Sequence, residues 1–536
     1  MIANKIINPF ADHLNAWLLY LDQLLKNIGN DDIGSKVKYT RQMKAIFDTL
    51  CCVTANPALL QKVMSLYNGQ TELLIGNTKV LSENSSGHSI QLITLSTDGG
   101  ACAIAVEKAL VADDLFLVQG PPGTGKTTVI AEIILHLLKE NNESRILLVS
   151  ESQVAVDNAL ERTLEYSEDE YSLLRYPAHK TWNTENVNLS LKNLVSNYRD
   201  YLDDIDKELS ADILKTLELD NIIEIDESLY EEEITPTNRY IHKLIAENVN
   251  VLGITANHLA RFRFDINDPI WDVVVVDEVS KATLPEILIP MNRAKKLILV
   301  GDPNQLPPTF CKEELEVADE MGETIQELLE SNSLIDKLFK NADPSRKTLL
   351  DVQYRMTNEI GAIVSECFYE NKLKNGRNVS ISDSVQWLDY ETPRMFPSKP
   401  VNSGGVLSNE VEAKIIRDKL NELQSILPLD SKIAIITPYK AQKRLLRKIL
   451  RESPFSPEID TIDAFQGREA RCVFISFTRN NGSSRFYADP RRLNVAISRA
   501  QDYLFLVGSS AYLKKVPTIK HFIEVSSSNK RVMVVE

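Results

Sequence analysis

Leu115 to Val118 is a short apolar run that leads through Gln119 into Gly120-Pro121-Pro122-Gly123-Thr124-Gly125-Lys126-Thr127-Thr128. Gly120, Gly125, Lys126 and Thr127 fill the fixed positions of a G-x-x-x-x-G-K-T loop. In such a loop the glycines let backbone N–H groups curl around phosphates, the lysine reaches the β and γ phosphates, and the threonine hydroxyl completes a Mg2+ shell. The motif needs a strand before it and a helix after it, and Val129 to Leu138 reads as that helix. The chemistry on offer is the handling of a nucleoside triphosphate, with ATP and Mg2+ as the expected cofactors.

Hydrolysis needs more than a phosphate cradle. A second apolar run, Val273 to Val276, delivers Asp277 and Glu278 at its end. Asp277 suits a carboxylate that holds Mg2+ through water, and Glu278 suits a base that orients and deprotonates attacking water. Asp-Glu after a strand is a weak signal alone and gains meaning only downstream of a phosphate-binding loop. Leu299-Val300-Gly301-Asp302-Pro303-Asn304-Gln305 repeats the plan of a strand followed by a polar turn. The Gln305 amide can bind both a phosphate oxygen and a water, although Asp-Pro-Asn by itself reads as a plain turn. Charge building on a departing γ-phosphate also calls for cations. Arg355, in Gln353-Tyr354-Arg355-Met356, and Arg499, in Ile497-Ser498-Arg499-Ala500, are the candidates, and either alone would read as a helix-face arginine.

These residues sit at the ends of apolar runs, and Ile146 to Val149, Leu297 to Val300 and Ile433 to Ile436 extend the set. Strands so uniformly apolar are buried on both faces, as in parallel sheets with helices on each side, and ligands of open α/β sheets sit at the carboxyl ends of the strands. The expected class is α/β. Upstream, Leu14, Trp17, Leu18, Leu21, Leu24 and Leu25 repeat at helical spacing and predict a helix that packs into a core. Glu72 to Leu95, with its Gly/Ser/Asn-rich centre, resembles a hairpin. A helix predicted at Ala441 to Arg451 aligns Lys440, Arg444, Lys448 and Arg451 opposite Leu445, Leu446, Ile449 and Leu450. A solvated face is its plain reading, and phosphate tracking the alternative.

The net charge of −15 runs against a polyanionic partner until it is located. Residues 161 to 240 hold 20 acidic and 8 basic side chains, and thus carry −12 of it. The remainder is near neutral and leaves room for a basic groove. The acidic stretch, about 166 to 245, reads as a helical insertion. The six cysteines are scattered with no zinc spacing, so no zinc site is expected. No apolar run approaches the length of a membrane span and the start lacks a secretion signal, which makes the expected setting cytoplasmic and excludes a membrane partner.

The ordered blocks GPPGTGKTT, SQVAVDNAL, DEVSKATLPE, GDPNQLPP, QYRM, ITPYKAQ, TIDAFQGREA and RRLNVAISRA resemble superfamily 1B helicases of the senataxin and nonsense-mediated-decay type, over about residues 105 to 510. The resemblance implies two tandem RecA-like P-loop NTPase domains, at 91–340 (with the insertion) and 341–536, behind an accessory region at 1–90. It implies ATP in the cleft between them and single-stranded DNA or RNA across both. Lys126, Thr127, Asp277, Glu278 and Gln305 would form the first domain's half of the ATP site. Tyr354 would stack near the adenine, Arg355 and Arg499 would reach the γ-phosphate, and Glu469 of Gln466-Gly467-Arg468-Glu469 would lie by the sugar, with Gly467 beside it. Ser152, Asp157, Thr255, Thr437, Tyr439 and Thr461 fall in blocks that contact or support the strand, chiefly at its backbone.

The implied activity is a nucleic-acid-dependent ATPase acting as a helicase or translocase, 5′ to 3′ by resemblance. An ATP-gated single-strand clamp is the alternative, and a small-molecule kinase a weaker rival. Two departures stand out. Cys102 occupies the place of a glutamine that reads the adenine edge, which predicts relaxed base selectivity. The relatives' β-barrel is not evident in residues 1–90, and that region or the acidic insertion is the expected surface for any protein partner. The chain is expected to run only about 25 residues past its last strand, Leu504 to Val507, with no appended nuclease or zinc module.

Overall fold

The computed structural model describes residues 9–29, 32–70, 92–93, 100–167, 171–176, 249–261, 270–330, 333–390, 407–462, 464–465, 467–480, 487, 489–528 and 533–535. The hairpin-like pattern near 72–95 and most of the acidic stretch lie outside them. The chain forms two compact units: Met1–Gln119 with Lys126–Pro303 and Pro307–Leu349, and Gly120–Gly125 with Asn304–Leu306 and Leu350–Glu536.

The first unit is built on a seven-stranded, wholly parallel sheet in the order β3-β4-β2-β5-β6-β1-β7. Its strands are β1 Leu115–Gln119, β2 Ile146–Ser150, β3 Leu173–Tyr176, β4 Val251–Thr255, β5 Trp271–Asp277, β6 Ala294–Gly301 and β7 Lys347–Leu349. The four apolar runs predicted in this part of the chain are β1, β2, β5 and β6. Their Val, Ile and Leu side chains are buried on both faces, because helices such as Lys126–Glu140 and Leu284–Met291 cover the sheet. Register brings the polar termini into line: Gln119 pairs with Gly301, and Ser150 with both Thr255 and Asp277.

Helices Pro9–Asn27, Ile33–Leu50 and Pro57–Tyr67 belong to this same core. Leu14, Trp17, Leu21 and Leu24 are buried there, and Leu18 and Leu25 partly so. Asn56 caps the third helix by accepting from the Ala58 and Leu59 N–H groups, with Pro57 preset at its first position. Polar contacts fix the register of these helices: the Tyr39 hydroxyl donates to Glu314 at 2.6 Å, and Gln42 donates to Glu286 at 3.2 Å. Among the described residues of 1–90, the predicted helical stripe is therefore core and not a free docking face.

β3 differs from the expectation of a helical insertion beginning near residue 166. Leu173-Leu174-Arg175-Tyr176 pairs in parallel with β4 at the sheet edge. Its arginine is tolerated in a buried strand because the guanidinium pairs with Asp157 and donates to the Tyr176 carbonyl at 2.6 Å.

The second unit carries a six-stranded parallel sheet in the order β12-β11-β13-β14-β10-β15, beside a short pair, β8 Val352–Gln353 and β9 Lys374–Asn375. Its strands are β10 Val385–Leu388, β11 Ile433–Ile436, β12 Glu458–Asp460, β13 Ala470–Ser476, β14 Ala500–Val507 and β15 Met533–Val535. β15 is a strand beyond the one expected to be last, and it pairs with β10. The predicted basic helix runs over Lys440–Ile449; Leu446 is buried, while Lys440, Arg444 and Lys448 are exposed. No described helix is long and apolar enough to cross a membrane.

Candidate active site

In the first unit Lys126 opens the helix Lys126–Glu140, with Thr127 and Thr128 in its first turn. The leading N–H groups of a helix lack intrahelical acceptors, and the dipole adds positive charge there, so this turn is suited to phosphate oxygens. Asp277 ends β5 and is buried. Burial first, and the neighbouring Glu278 second, push its carboxyl up to about 6; Lys126 and the Glu278 N–H, which donates to it at 2.7 Å, act in the opposite sense. Lys126, Asp277 and Glu278 are thus one electrostatic group. Its paired carboxylates and the Thr127 hydroxyl fit a hard divalent cation, which would relieve the charge that raises Asp277. Among the described residues no set of three or more His, Cys, Asp or Glu side chains could hold a metal alone. A Mg2+ ion here would accordingly take its remaining ligands from water and phosphate, as that ion commonly does.

Glu278 stands in the left-handed region, with φ of 50°. For a residue with a β-carbon that conformation carries strain and has to be held by its surroundings. The turn Val279–Lys281 does so, with the Lys281 N–H donating to the Glu278 carbonyl at 2.9 Å and its ammonium paired with the Glu278 carboxylate. Lys281 carries little signal in the sequence, where it is only a lysine three residues after Glu278. Gly301 permits this packing, since a β-carbon there would lie 2.8 Å from Val279 Cγ1 and 3.1 Å from its nitrogen.

The proposed strand contacts of this unit are engaged locally. Ser152 caps the helix Gln153–Glu165, accepting from the Ala155 N–H at 3.0 Å. Asp157 is held by Arg175, and the buried Thr255 hydroxyl lies 2.6 Å from His258 Nδ1.

The second unit includes the phosphate-loop segment Gly120–Gly125. Thr124 closes this turn by donating to the Pro121 carbonyl at 2.8 Å, and Gly125 adopts φ of 82°. Gly123 has two reasons to be glycine: φ is 73°, and a β-carbon would come within 2.6 Å of Arg355 Cβ. The Tyr354 N–H donates to the Gly123 carbonyl at 2.9 Å. Gln305 groups in this unit as well. The physical reason is that Leu306 buries in this unit's core, while Asn304 donates to Phe368 and accepts from Asn494, at 2.9 and 2.8 Å.

Arg355 donates to Glu469 at 2.5 Å and to the Ser498 carbonyl at 3.1 Å, so QYRM, the Gln-Gly block and the segment of Arg499 converge. Glu469 also accepts from Gln501 at 2.7 Å, and Gly467, at φ of 80°, turns the chain just before it. Arg499 is buried and donates to the Val495 and Arg468 carbonyls. Arg377, unmarked in the sequence, donates to the carbonyls of Arg355 and Gln501 and pairs with Asp502 at 2.6 Å. Tyr354 is half exposed. Thr437 follows β11 in a buried contact with Thr478, Tyr439 accepts from Arg479, and the Thr461 N–H donates to Asp460.

A family model described as AAA domain matches residues 102–228 and 221–313, and a second of the same description matches 330–511. An uncharacterised ATP-dependent helicase of Methanocaldococcus jannaschii is 29% identical over 487 residues, covering 79% of this chain and 70% of that protein. The regulator of nonsense transcripts 1 homolog of Neurospora crassa is 30% identical over 81% of this chain, and the DNA replication ATP-dependent helicase/nuclease DNA2 of Saccharomyces cerevisiae 28% over 78%. The chain spans only 39% and 26% of those two proteins. With the phosphate loop, the strand-end carboxylates and two parallel sheets in place, these matches agree with the ordered motifs, and the chain belongs to the superfamily 1B helicases, a family of ATP-hydrolysing P-loop enzymes of the senataxin and nonsense-mediated-decay type.

Proposed function

We propose that this chain is a Mg2+-dependent ATPase stimulated by single-stranded nucleic acid, and that it moves along the strand 5′ to 3′ and separates duplexes. The observation that carries the reading is the electrostatic grouping of Lys126 with Asp277 and Glu278. It supplies a phosphate-binding cation, a metal-holding carboxylate and a base. Lys126 binds and orients the phosphates, Glu278 takes the proton of the attacking water, and Arg355 and Arg499 stabilise charge on the γ-phosphate. Bound Mg2+ would supply further neutralisation of that charge. RecA-like domains 91–340 and 341–536 share the work, and the blocks of Ser152, Asp157, Thr255, Thr437, Tyr439 and Thr461 contact or support the strand at its backbone without reading sequence.

A strand-displacement assay run beside ATPase titrations tests this. Single strands should stimulate turnover at least about tenfold, and duplexes with a 5′ overhang should separate faster than those with a 3′ overhang. Absence of any stimulation would overturn the reading. Stimulation without displacement would replace unwinding with an ATP-gated clamp, and parallel titrations with RNA and DNA would name the substrate.

Base selectivity gives a separate expectation. Cys102 lies in the first turn of helix Ala101–Val111 and is half-buried. A thiol does not donate and accept as an amide does, so GTP and CTP should be hydrolysed with kcat/KM within about tenfold of ATP. Cys102→Gln should widen that gap. A nucleotide panel showing strict ATP preference in the unaltered protein would refute the relaxed site.

A further inference from the structure

At the carboxyl ends of β11 and β13 the second unit holds a strained residue in a buried polar clamp. Thr478 follows β13 with φ of 67°, a conformation unfavourable for a β-branched side chain. Its N–H donates to Glu412 Oε2 at 2.8 Å, its carbonyl accepts from Asn409 Nδ2 at 3.1 Å, and its hydroxyl lies 3.1 Å from that of Thr437. Asn409, Glu412, Thr437 and Thr478 are all buried. Gln442, also buried, accepts from the Asn409 N–H at 2.6 Å and donates to its carbonyl at 3.0 Å. Asn409 also caps the helix Glu410–Leu423, its Oδ1 accepting from the Glu412 N–H at 3.2 Å.

The residue that the clamp aims is Arg479. Its N–H donates back to the Phe477 carbonyl at 2.7 Å in a tight turn, and its Nε donates to the Tyr439 hydroxyl at 2.8 Å. The guanidinium carbon lies 5.9 Å from the Tyr439 ring centre. A half-buried guanidinium thus sits at a strand end, in contact with the tyrosine that begins the exposed basic helix bearing Lys440 and Arg444. Backbone strain fixed by surrounding structure recurs where a side chain has to be presented in one orientation. A planar, permanently charged fork is the side chain suited to a phosphodiester.

Building on the proposed strand binding, we infer that Arg479 is a backbone-phosphate contact for single-stranded nucleic acid, and that Asn409 and Glu412 are positioning residues that aim it through Thr478. The contact reads no base, so its loss weakens all sequences alike. The hydrogen bond to Tyr439 confines the guanidinium in advance, which lowers the entropy cost of the contact.

Equilibrium binding of a fluorescent oligonucleotide, measured from low to high salt on the full chain, tests the inference. Arg479→Met should bind roughly tenfold more weakly at low salt. The slope of log affinity against log salt should also be shallower by about 0.7, the value for one phosphate contact on a single strand. Arg417→Met, which removes an arginine paired with Asp418 on helix Glu410–Leu423, should leave the slope unchanged. Asn409→Ala should reproduce the Arg479→Met loss, and the double variant should be no weaker than Arg479→Met alone. An unchanged slope in a well-folded Arg479→Met protein would overturn the phosphate contact, and full additivity would overturn the positioning role. A parent protein that binds no strand would instead overturn the function on which both rest.

Discussion

Glu278→Gln should bind ATP within a few-fold of the unaltered protein and turn it over about 100- to 10,000-fold more slowly, the range that general-base catalysis commonly supplies. The amide has the shape of the carboxylate, and its oxygen can still accept from the Lys281 ammonium that now pairs with Glu278. What it cannot do is take a proton from water. Removing the charge beside Asp277 also removes one of the two causes that push that carboxyl up, so the metal-holding position should not be impaired. Lys126→Ala should show the opposite pattern. Loss of a charge-assisted contact to phosphate weakens nucleotide affinity by about 10- to 100-fold, and turnover falls because the complex does not form. Single-turnover hydrolysis with a parallel nucleotide-binding titration separates the two effects. Turnover at the parent's rate in the Gln variant would remove Glu278 from its role, and lost affinity in that variant would make it a ligand rather than a base.

The residues of the proposed chemistry could be read from the sequence because phosphate handling imposes local rules. A G-x-x-x-x-G-K-T loop has few solutions, and a run such as Val273–Val276 buried on both faces announces both a parallel strand and the place where its functional residue follows. Length set the limit. β3 is four residues with an arginine inside it, and its arginine is acceptable only because Asp157 lies across from it, a partner 18 residues earlier. β15 is three residues, and is a strand only because β10 offers an edge. Gln305 reads with the strand before it, whereas Leu306 and Asn304 tie it to the second unit. Arg377 and Lys281 act through carbonyls and carboxylates of other segments, and residue type alone does not distinguish them from surface cations. The Thr478 clamp was equally hidden, since its members come from segments more than 30 residues apart.

That clamp makes the second unit's stability depend on pH. Glu412 is fully buried; burial pushes its carboxyl up to about 7, against the opposing pull of Ser476, the Thr478 N–H and Tyr390. An acid whose folded pKa stands above its unfolded value of 4.5 is held protonated by the fold. Its contribution is therefore complete below pH 4.5 and is lost as pH rises through 7. The interval between those two values corresponds to roughly 3 kcal/mol at about 1.36 kcal/mol for each pH unit. Glu412→Gln should abolish this part of the pH dependence. Its amide oxygen can accept from Ser476 and Thr478 while its NH2 faces the Tyr390 hydroxyl, which can accept in turn. Thermal unfolding of the full chain between pH 5 and 8 should give nearly equal midpoints for the two proteins at the acid end. The Gln variant should then be more stable at pH 8, because the parent alone must carry a buried charge there. Taking the difference between the two proteins cancels every other titration they share. Parallel midpoint curves across that range would mean that the Glu412 carboxyl titrates at its ordinary value, and that the hydrogen bonds to Ser476, Thr478 and Tyr390 stabilise the ion as well as burial disfavours it.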